Sequence, residues 1–220
     1  MRLFYFIFTF VLVNFPYPII AEIGQIIEVY GKVQIRTNKA EIIDAKVGTK
    51  VAMYDMLKVR NGASATISLN DKSIFTVGPK TTLVFDDFIY DQENQKLRLR
   101  IIDGALTFKN SDKNLKSDKK FTYNTFTLTI RGTEFAAKFR PDSQIILLDG
   151  AVAVDSRDNT RVIDSPLQSV TFGYGKISEP ITLTQKELKQ FLKDNGLDAF
   201  SNFQGECFMN KIKIRCPEAR

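Results

Sequence analysis

Thr125-Phe126-Thr127-Leu128-Thr129-Ile130-Arg131-Gly132-Thr133-Glu134-Phe135-Ala136-Ala137-Lys138-Phe139 is the stretch around which the chain is organised. Its first half alternates threonine with large apolar residues, so a strand here turns Phe126, Leu128 and Ile130 to one face and threonines to the other. Arg131-Gly132-Thr133 interrupts the alternation and Phe135 and Phe139 resume it. That pattern predicts two strands joined at a kink or bulge, with Gly132 as the pivot where a Cβ would not fit.

Outward from this stretch, the same grammar recurs. Ile101-Ile102-Asp103-Gly104-Ala105-Leu106-Thr107-Phe108 closely matches Leu147-Leu148-Asp149-Gly150-Ala151-Val152-Ala153-Val154, and Val29-Tyr30-Gly31-Lys32-Val33-Gln34-Ile35 is a looser copy. The spacings are unequal, so this is one strand shape used three times rather than a fixed-period repeat. Gln25 to Thr37 is expected to form a pair of strands turning at Gly31. Leu57–Arg60, Ala65–Leu69, Ser73–Val77 and Thr82–Phe85 follow as short strands between Asn61-Gly62, Asn70-Asp71 and Gly78-Pro79 turns. Leu97 to Ile101 alternates apolar with cationic residues, which places Arg98 and Arg100 in water. The expected fold is all-β, a solenoid-like β-roll or sandwich of short, mostly antiparallel strands.

Composition agrees with that class. The 220 residues are 44% hydrophobic and include 18 Phe and 7 Tyr but no Trp, enough to build a packed core and weighted toward strand formers. Asn110 to Lys120 is polar, charged and aperiodic, and is expected to be a mobile loop. After Phe172 the pattern changes. Thr184-Gln185-Lys186-Glu187 is a capping box, and Leu188, Phe191 and Leu192 make an apolar stripe that ends at Asn195-Gly196. A helix from about Gln185 to Asp194 is expected to pack on the β body.

Met1-Arg2 and the apolar run Leu3 to Val13, broken by Asn14, Pro16 and Pro18, fit a secretory signal cleaved after Ala21. An uncleaved anchor is the competing reading, but a span needs about 20 apolar residues and the prolines come too early. The expected organisation is a signal peptide at 1–21, a β domain at 22–175 and an appendage of helix and hairpin at 176–220. No stable membrane span is expected after processing, and the location is periplasmic or secreted. The formal charge is +6. Its lysines are scattered, with no aromatic platform or basic helix, so a solvated basic surface is expected rather than nucleic-acid binding.

Cys207 and Cys216 are the only cysteines. In an exported chain they most simply form a disulfide that closes a terminal hairpin around Asn210-Lys211-Ile212-Lys213. A redox pair is the alternative, though Cys-x-x-Cys spacing is missing. With no histidine in the chain, Ser-His-Asp and Cys-His catalysis and imidazole metal sites are excluded. The paired carboxylates open to glycosidic chemistry are Asp86-Asp87, Asp103 and Asp149, and turn carboxylates more commonly accept hydrogen bonds from backbone amides. Arg131 could bind an anion, or pair with a carboxylate or with carbonyls exposed at the kink. The structural role is the expected one. No cofactor and no enzymatic activity are expected.

The Ile130-Arg131-Gly132-Thr133-Glu134-Phe135 sequence, its Thr-rich lead and the following Asp149-Gly150 strand resemble the core of the FecR domain family. Gly48 through Val77, with Asp55, Gly62 and Asp71, is similar to that family's first half, and the resemblance runs from about Gly24 to Phe172. Asp71-Lys72 departs from the family's usual Asp-Gly, so that turn is expected to be built differently. The resemblance implies a module on the outer side of a bacterial inner membrane, in some members relaying a transporter's state to a sigma factor. Those regulators carry a cytoplasmic segment before the membrane helix, and only Met1-Arg2 stands there in this sequence. The implied role is therefore a signalling adaptor or scaffold that engages an envelope protein or cell-wall polymer at a sheet edge. A secreted carbohydrate-active enzyme on a β-roll is the alternative.

Overall fold

The fold is that of a computed structural model, which describes residues 22–91, 95–110, 117–140 and 142–197, and the backbone of 207–209 and 212–214. The expected signal segment lies outside the described residues.

The first half is built from short strands: β1 (Glu22–Tyr30), β2 (Val33–Arg36), β3 (Ile42–Asp44), β4 (Lys50–Ala52), β5 (Met56–Val59), β6 (Ser64–Leu69), β7 (Ile74–Val77) and the longer β8 (Thr82–Tyr90). Alternation sets their faces: Val33 and Ile35 of β2, and Ala65, Ile67 and Leu69 of β6, are buried. β1 lies between β4 and β6, whereas β2 lies between β3 and β5. Gly31 turns the chain between the two strands as expected, without pairing β1 on β2. It is a corner at φ +69° that carries the chain from one group of strands to another, with its missing Cβ replaced by contact with Ala63.

The second half is built from long strands: β9 (Gln95–Lys109), β10 (Ser117–Tyr123), β11 (Phe126–Phe139) and β12 (Ser143–Asp155). Each of β9, β11 and β12 changes partners midway. The first part of β9 pairs with β8 and, in parallel, with β10; from Gly104 onward it pairs with β7 and the second part of β11. The first part of β11 pairs with β10 and the second part of β12, with the register shifting around Gly132. β13 (Thr160–Ile163) and β14 (Gln168–Gly173) extend the two parts of β12, and β15 (Lys176–Ile177) and β16 (Ile181–Thr182) border β14.

The result is one open, mixed sheet that bends across itself, so that parts of the same strands face each other. Phe75, Phe108 and Phe135 stand side by side on β7, β9 and β11, and Phe121 of β10 packs on all three with ring centroids 5.1–5.7 Å apart. The strands are mostly antiparallel as expected, but there is no solenoid. Stacked coils need short strands in register, and here strands of 13 to 15 residues cross from one layer to the other.

α1 (Gln185–Asp194) carries the expected capping box: Thr184 accepts from the Glu187 backbone and Glu187 accepts from Thr184. Phe191, with Leu183, Leu188 and Leu192, packs on Ala105, Ala136 and Ile146, outward residues of the second parts of β9 and β11 and the first part of β12. Two of those three are alanines, which lets the helix approach closely. Leu197 is buried beside them, and Gly78 admits the Asn195 carbonyl at a distance no Cβ would allow.

Two expectations fail here. Ser117 to Lys120 belongs to β10, and Lys119 is fully buried rather than part of a mobile loop, because its ammonium is paired inside the core. At the C-terminus, β17 (Cys207–Met209) and β18 (Ile212–Ile214) form a hairpin in which Cys207 faces Ile214 and only residues 210 and 211 separate the strands. The four-residue loop from Asn210 to Lys213 is thus replaced by a two-residue one, since Lys213 pairs with Phe208. No disulfide occurs among the described residues, and the expected Cys207–Cys216 bond falls outside them.

Candidate functional site

Two of the three bends share one device. At the first, a Cβ on Gly104 would stand 2.1 Å from Thr81 Oγ1, and its φ is +116°. Thr81 Oγ1 accepts from the Ala105 amide at 2.9 Å and donates to the Ala105 carbonyl at 3.1 Å. At the second, a Cβ on Gly150 would stand 2.3 Å from the Gly132 carbonyl oxygen, and its φ is +85°. Thr133 Oγ1 accepts from the Arg131 amide at 3.0 Å and donates to the Ala151 carbonyl at 2.8 Å. In both, a buried threonine hydroxyl latches the alanine that follows an Asp-Gly pair. The repeated Asp-Gly-Ala is this latch seen in sequence. Gly132, at φ +56°, supplies the opposing surface in the second latch.

The remaining residues singled out from the sequence fall around this frame. Ile130 and Phe135 are fully buried, Phe135 within the phenylalanine cluster. Asp149 accepts from the Gly150 amide at 3.0 Å, as a turn carboxylate does, whereas Asp103 is exposed. Glu134 sits opposite Asp149 and pairs with Lys109 at 3.5 Å. Asp86 pairs with Arg100 at 2.8 Å and Asp87 with Lys96 at 2.5 Å, so each carboxylate faces a cation across the β8–β9 ladder. Among the described residues no three His, Cys, Asp or Glu side chains gather as a metal site, and no helix is long and apolar enough to cross a membrane.

Arg131 departs from its expected structural role. Its side chain is exposed and has no hydrogen bond or ion pair among the described residues, because the kink leaves its carbonyl partners to Thr133. Asp55, by contrast, is buried and holds three segments together. Its two oxygens accept from the Asn38 and Ala52 amides at 3.0 and 2.9 Å, and burial pushes its carboxyl above the ordinary range against the opposing pull of those amides. The Asp71-Lys72 turn keeps a glycine-like geometry, with Lys72 itself at φ +63° and its amide donating to the Leu69 carbonyl at 2.9 Å.

Sequence pattern missed the feature best suited to contact another molecule, the free edge at β3. Among the described residues β3 pairs only with β2. The flanking bonds, Thr37 amide to Glu41 carbonyl and Ala45 amide to Val33 carbonyl, set the alternation of the ladder. Ile43 therefore bonds to Ile35, and the amides and carbonyls of Ile42 and Asp44 point away from the sheet. Ile42 is 67% exposed and Ile43 38%. Arg36, Lys58 and Arg60 are exposed on the neighbouring strands and turn. A free ladder with apolar side chains on both faces and cations alongside is a template for an extended, partly acidic peptide. Ile42-Ile43, two apolar residues between the turn at Asn38-Lys39 and Asp44, was the only signal for it.

Comparison with known proteins supplies the lineage of this frame. The sequence profile of the FecR protein family matches residues 55–153, which span both latches. Residues 55–153 are similar to the FecR family. Two crystal structures of a candidate anti-sigma factor from Parabacteroides distasonis ATCC 8503 share the fold, each with a TM-score of 0.51 at 13% identity over 62% of this chain. The matched part spans 64% and 63% of those two chains. No curated protein matches. The FecR match begins at the buried Asp55 and ends at Ala153, two residues beyond the second latch; β3 and α1 lie outside it.

Proposed function

We propose that this FecR-domain protein is a non-enzymatic signalling adaptor of the bacterial envelope, which receives an extended segment of a partner protein along β3. The observation that carries the reading is the pairing of a FecR domain, whose motif residues are spent on internal latches, with a free strand edge whose amides and carbonyls have no partner strand. The solved relative, named as an anti-sigma factor candidate, favours a regulatory role over an enzymatic one. In this reading residues 1–21 are removed on export and Cys207 bonds to Cys216 in the oxidising envelope. Neither nucleic acid nor a cofactor takes part.

A second reading has its own observation. Arg131 is an exposed cation at the bend, which suits an anionic group of a cell-wall polymer. The carbohydrate-active enzyme is disfavoured because Asp86 and Asp87 each face a cation rather than a shared cleft.

Transcript profiling tests the adaptor. Deleting the protein should change a small set of transcripts, and Ile42→Pro, which removes an outward-pointing amide without breaking the β2 ladder, should reproduce that change with the protein present at normal level. A deletion that alters no transcript defeats the regulatory role, and an Ile42→Pro strain that behaves as wild type defeats the β3 edge.

A further inference from the structure

Lys119 is the one cation buried completely among the described residues. Its Nζ lies 2.6 Å from Asp71 Oδ2, 2.8 Å from Ser73 Oγ and 3.0 Å from Asn110 Oδ1. Asp71, Ser73 and Asn110 are 3%, 0% and 4% exposed. The Phe108 ring centroid is 5.7 Å from the nitrogen, and Phe108 belongs to the phenylalanine cluster. Three separate segments deliver these groups: the β6–β7 turn, the end of β9 and the beginning of β10.

A buried ion pair is a costly way to fill a core position, and an apolar residue there would serve stability as well. The arrangement has a further chemical property. An amine in hydrogen-bond contact with both a carboxamide and a carboxylate, with water excluded, supplies the reactants and the proton carrier of an amide exchange. We propose that Lys119 and Asn110 become covalently joined through an Nζ–Cγ amide bond, with Asp71 as the group that moves the protons.

The steps balance without an added reagent. A proton passes from Nζ to Asp71 Oδ2 along their hydrogen bond, leaving a neutral amine and a neutral acid where two charges were buried. The Nζ electron pair attacks Asn110 Cγ and the carbonyl π pair moves onto Oδ1. The Ser73 hydroxyl, 3.4 Å from that oxygen, polarises the carbonyl. Asp71 relays two protons in all from Nζ to Asn110 Nδ2. The Cγ–Nδ2 bond then breaks and the nitrogen leaves as ammonium, while Asp71 returns to carboxylate. Asp71 keeps the Ser73 amide on Oδ1 at 2.9 Å and the Ser73 hydroxyl 2.9 Å from Oδ2, so its charge stays solvated by donors after the lysine has gone. Asn110 rather than Asp71 is the acyl donor because Asp71 is taken up as the proton carrier, its oxygens held by the Ser73 amide and hydroxyl.

The bond would fasten the crossover between the parallel neighbours β9 and β10, the only parallel pair among the described residues. It closes the chain from Asn110 to Lys119 into a ring.

Intact mass of the purified wild-type protein tests this without any variant. After reduction, the expected mass is about 17 Da below that calculated for the processed sequence, the loss of one ammonia. Trypsin should yield Asn110–Lys113 joined to Ser117–Lys120, since an acylated Lys119 is not cleaved. Lys119→Arg and Asp71→Asn should each restore the full mass. A full-mass wild type that trypsin cuts after Lys119 overturns the proposal. So does an ammonia loss without the branched peptide, which would mark a succinimide at Asn110. A branch carried by Asp71 with loss of water would overturn the assignment of Asn110.

Discussion

The latched bends and the β3 edge put opposite demands on the chain. At Gly104 and Gly150 the backbone of one strand rests directly on another, the threonine hydroxyls are engaged as both donor and acceptor, and the residues are those that carry the FecR likeness. At β3 the ladder is open, the side chains are exposed, and the likeness is silent. The difference teaches that a family's recognisable motif can mark where a scaffold is held together, while contact with a partner is left to a segment free to vary.

That contrast predicts a gradient of mutational effects. Gly150→Ala should be the most damaging, because it adds a methyl within contact distance of the Gly132 carbonyl and strains a positive φ. We expect a loss of about 3 kcal/mol or more, read as a drop in the urea midpoint. An ordinary strand position would lose less than half of that. Thr133→Val comes next: it keeps the shape but deprives the Arg131 amide and the Ala151 carbonyl of the hydroxyl, for about 1–3 kcal/mol. Thr81→Val should behave in parallel, and a marked difference between the two would mean that the latches are not equivalent.

Lys72→Gly works the other way, through the φ of +63° on an exposed turn. It should stabilise by up to about 1 kcal/mol by relieving the left-handed conformation. Lys72 and Gly150 both lie in the left-handed half of backbone space, and only Gly150 is also walled in.

The smallest effect is pH-dependent. Asp55 has its carboxyl raised in the folded state, with burial the main cause, so the folded protein binds the proton more tightly than the unfolded chain does. Its contribution favours folding at acid pH and declines as pH rises from the ordinary carboxylate range through the raised value. Asp118 and Glu187 are shifted downward by Arg98 and by Thr184, and work in the opposite sense on exposed surfaces. Asp55→Asn should therefore flatten the fall in stability between mildly acid and neutral pH. A steeper fall in the variant would reverse the sign assigned to Asp55.

Much of the scaffold is legible in the sequence. The alternation of Phe126, Leu128 and Ile130, the pivot at Gly132, and the helix from Gln185 to Asp194 all appear where residue pattern places them, because each is decided by neighbours in the chain. What was hidden depends on distant partners. Lys119 looked like loop because charge masks the face it shares with Phe121 and Tyr123, and only Asp71, 48 positions away, makes its burial tolerable. The turn at Gly31 was legible but its partners were not, because sequence shows that a strand ends but not which strand it joins. The solenoid reading took three similar strands for stacked layers, when two of them are Thr-latched bends. The β3 edge has no signature, since a strand's freedom is a property of topology.

The most direct test of the division between scaffold and contact surface pairs Ile42→Pro with Arg131→Ala in the native host and reads both folding and transcript response. The prediction is that both proteins keep the wild-type urea midpoint, that Ile42→Pro gives the deletion's transcript profile, and that Arg131→Ala gives the wild-type profile. An Arg131→Ala strain that matches the deletion while Ile42→Pro remains fully active would contradict it and place the working surface at the bend.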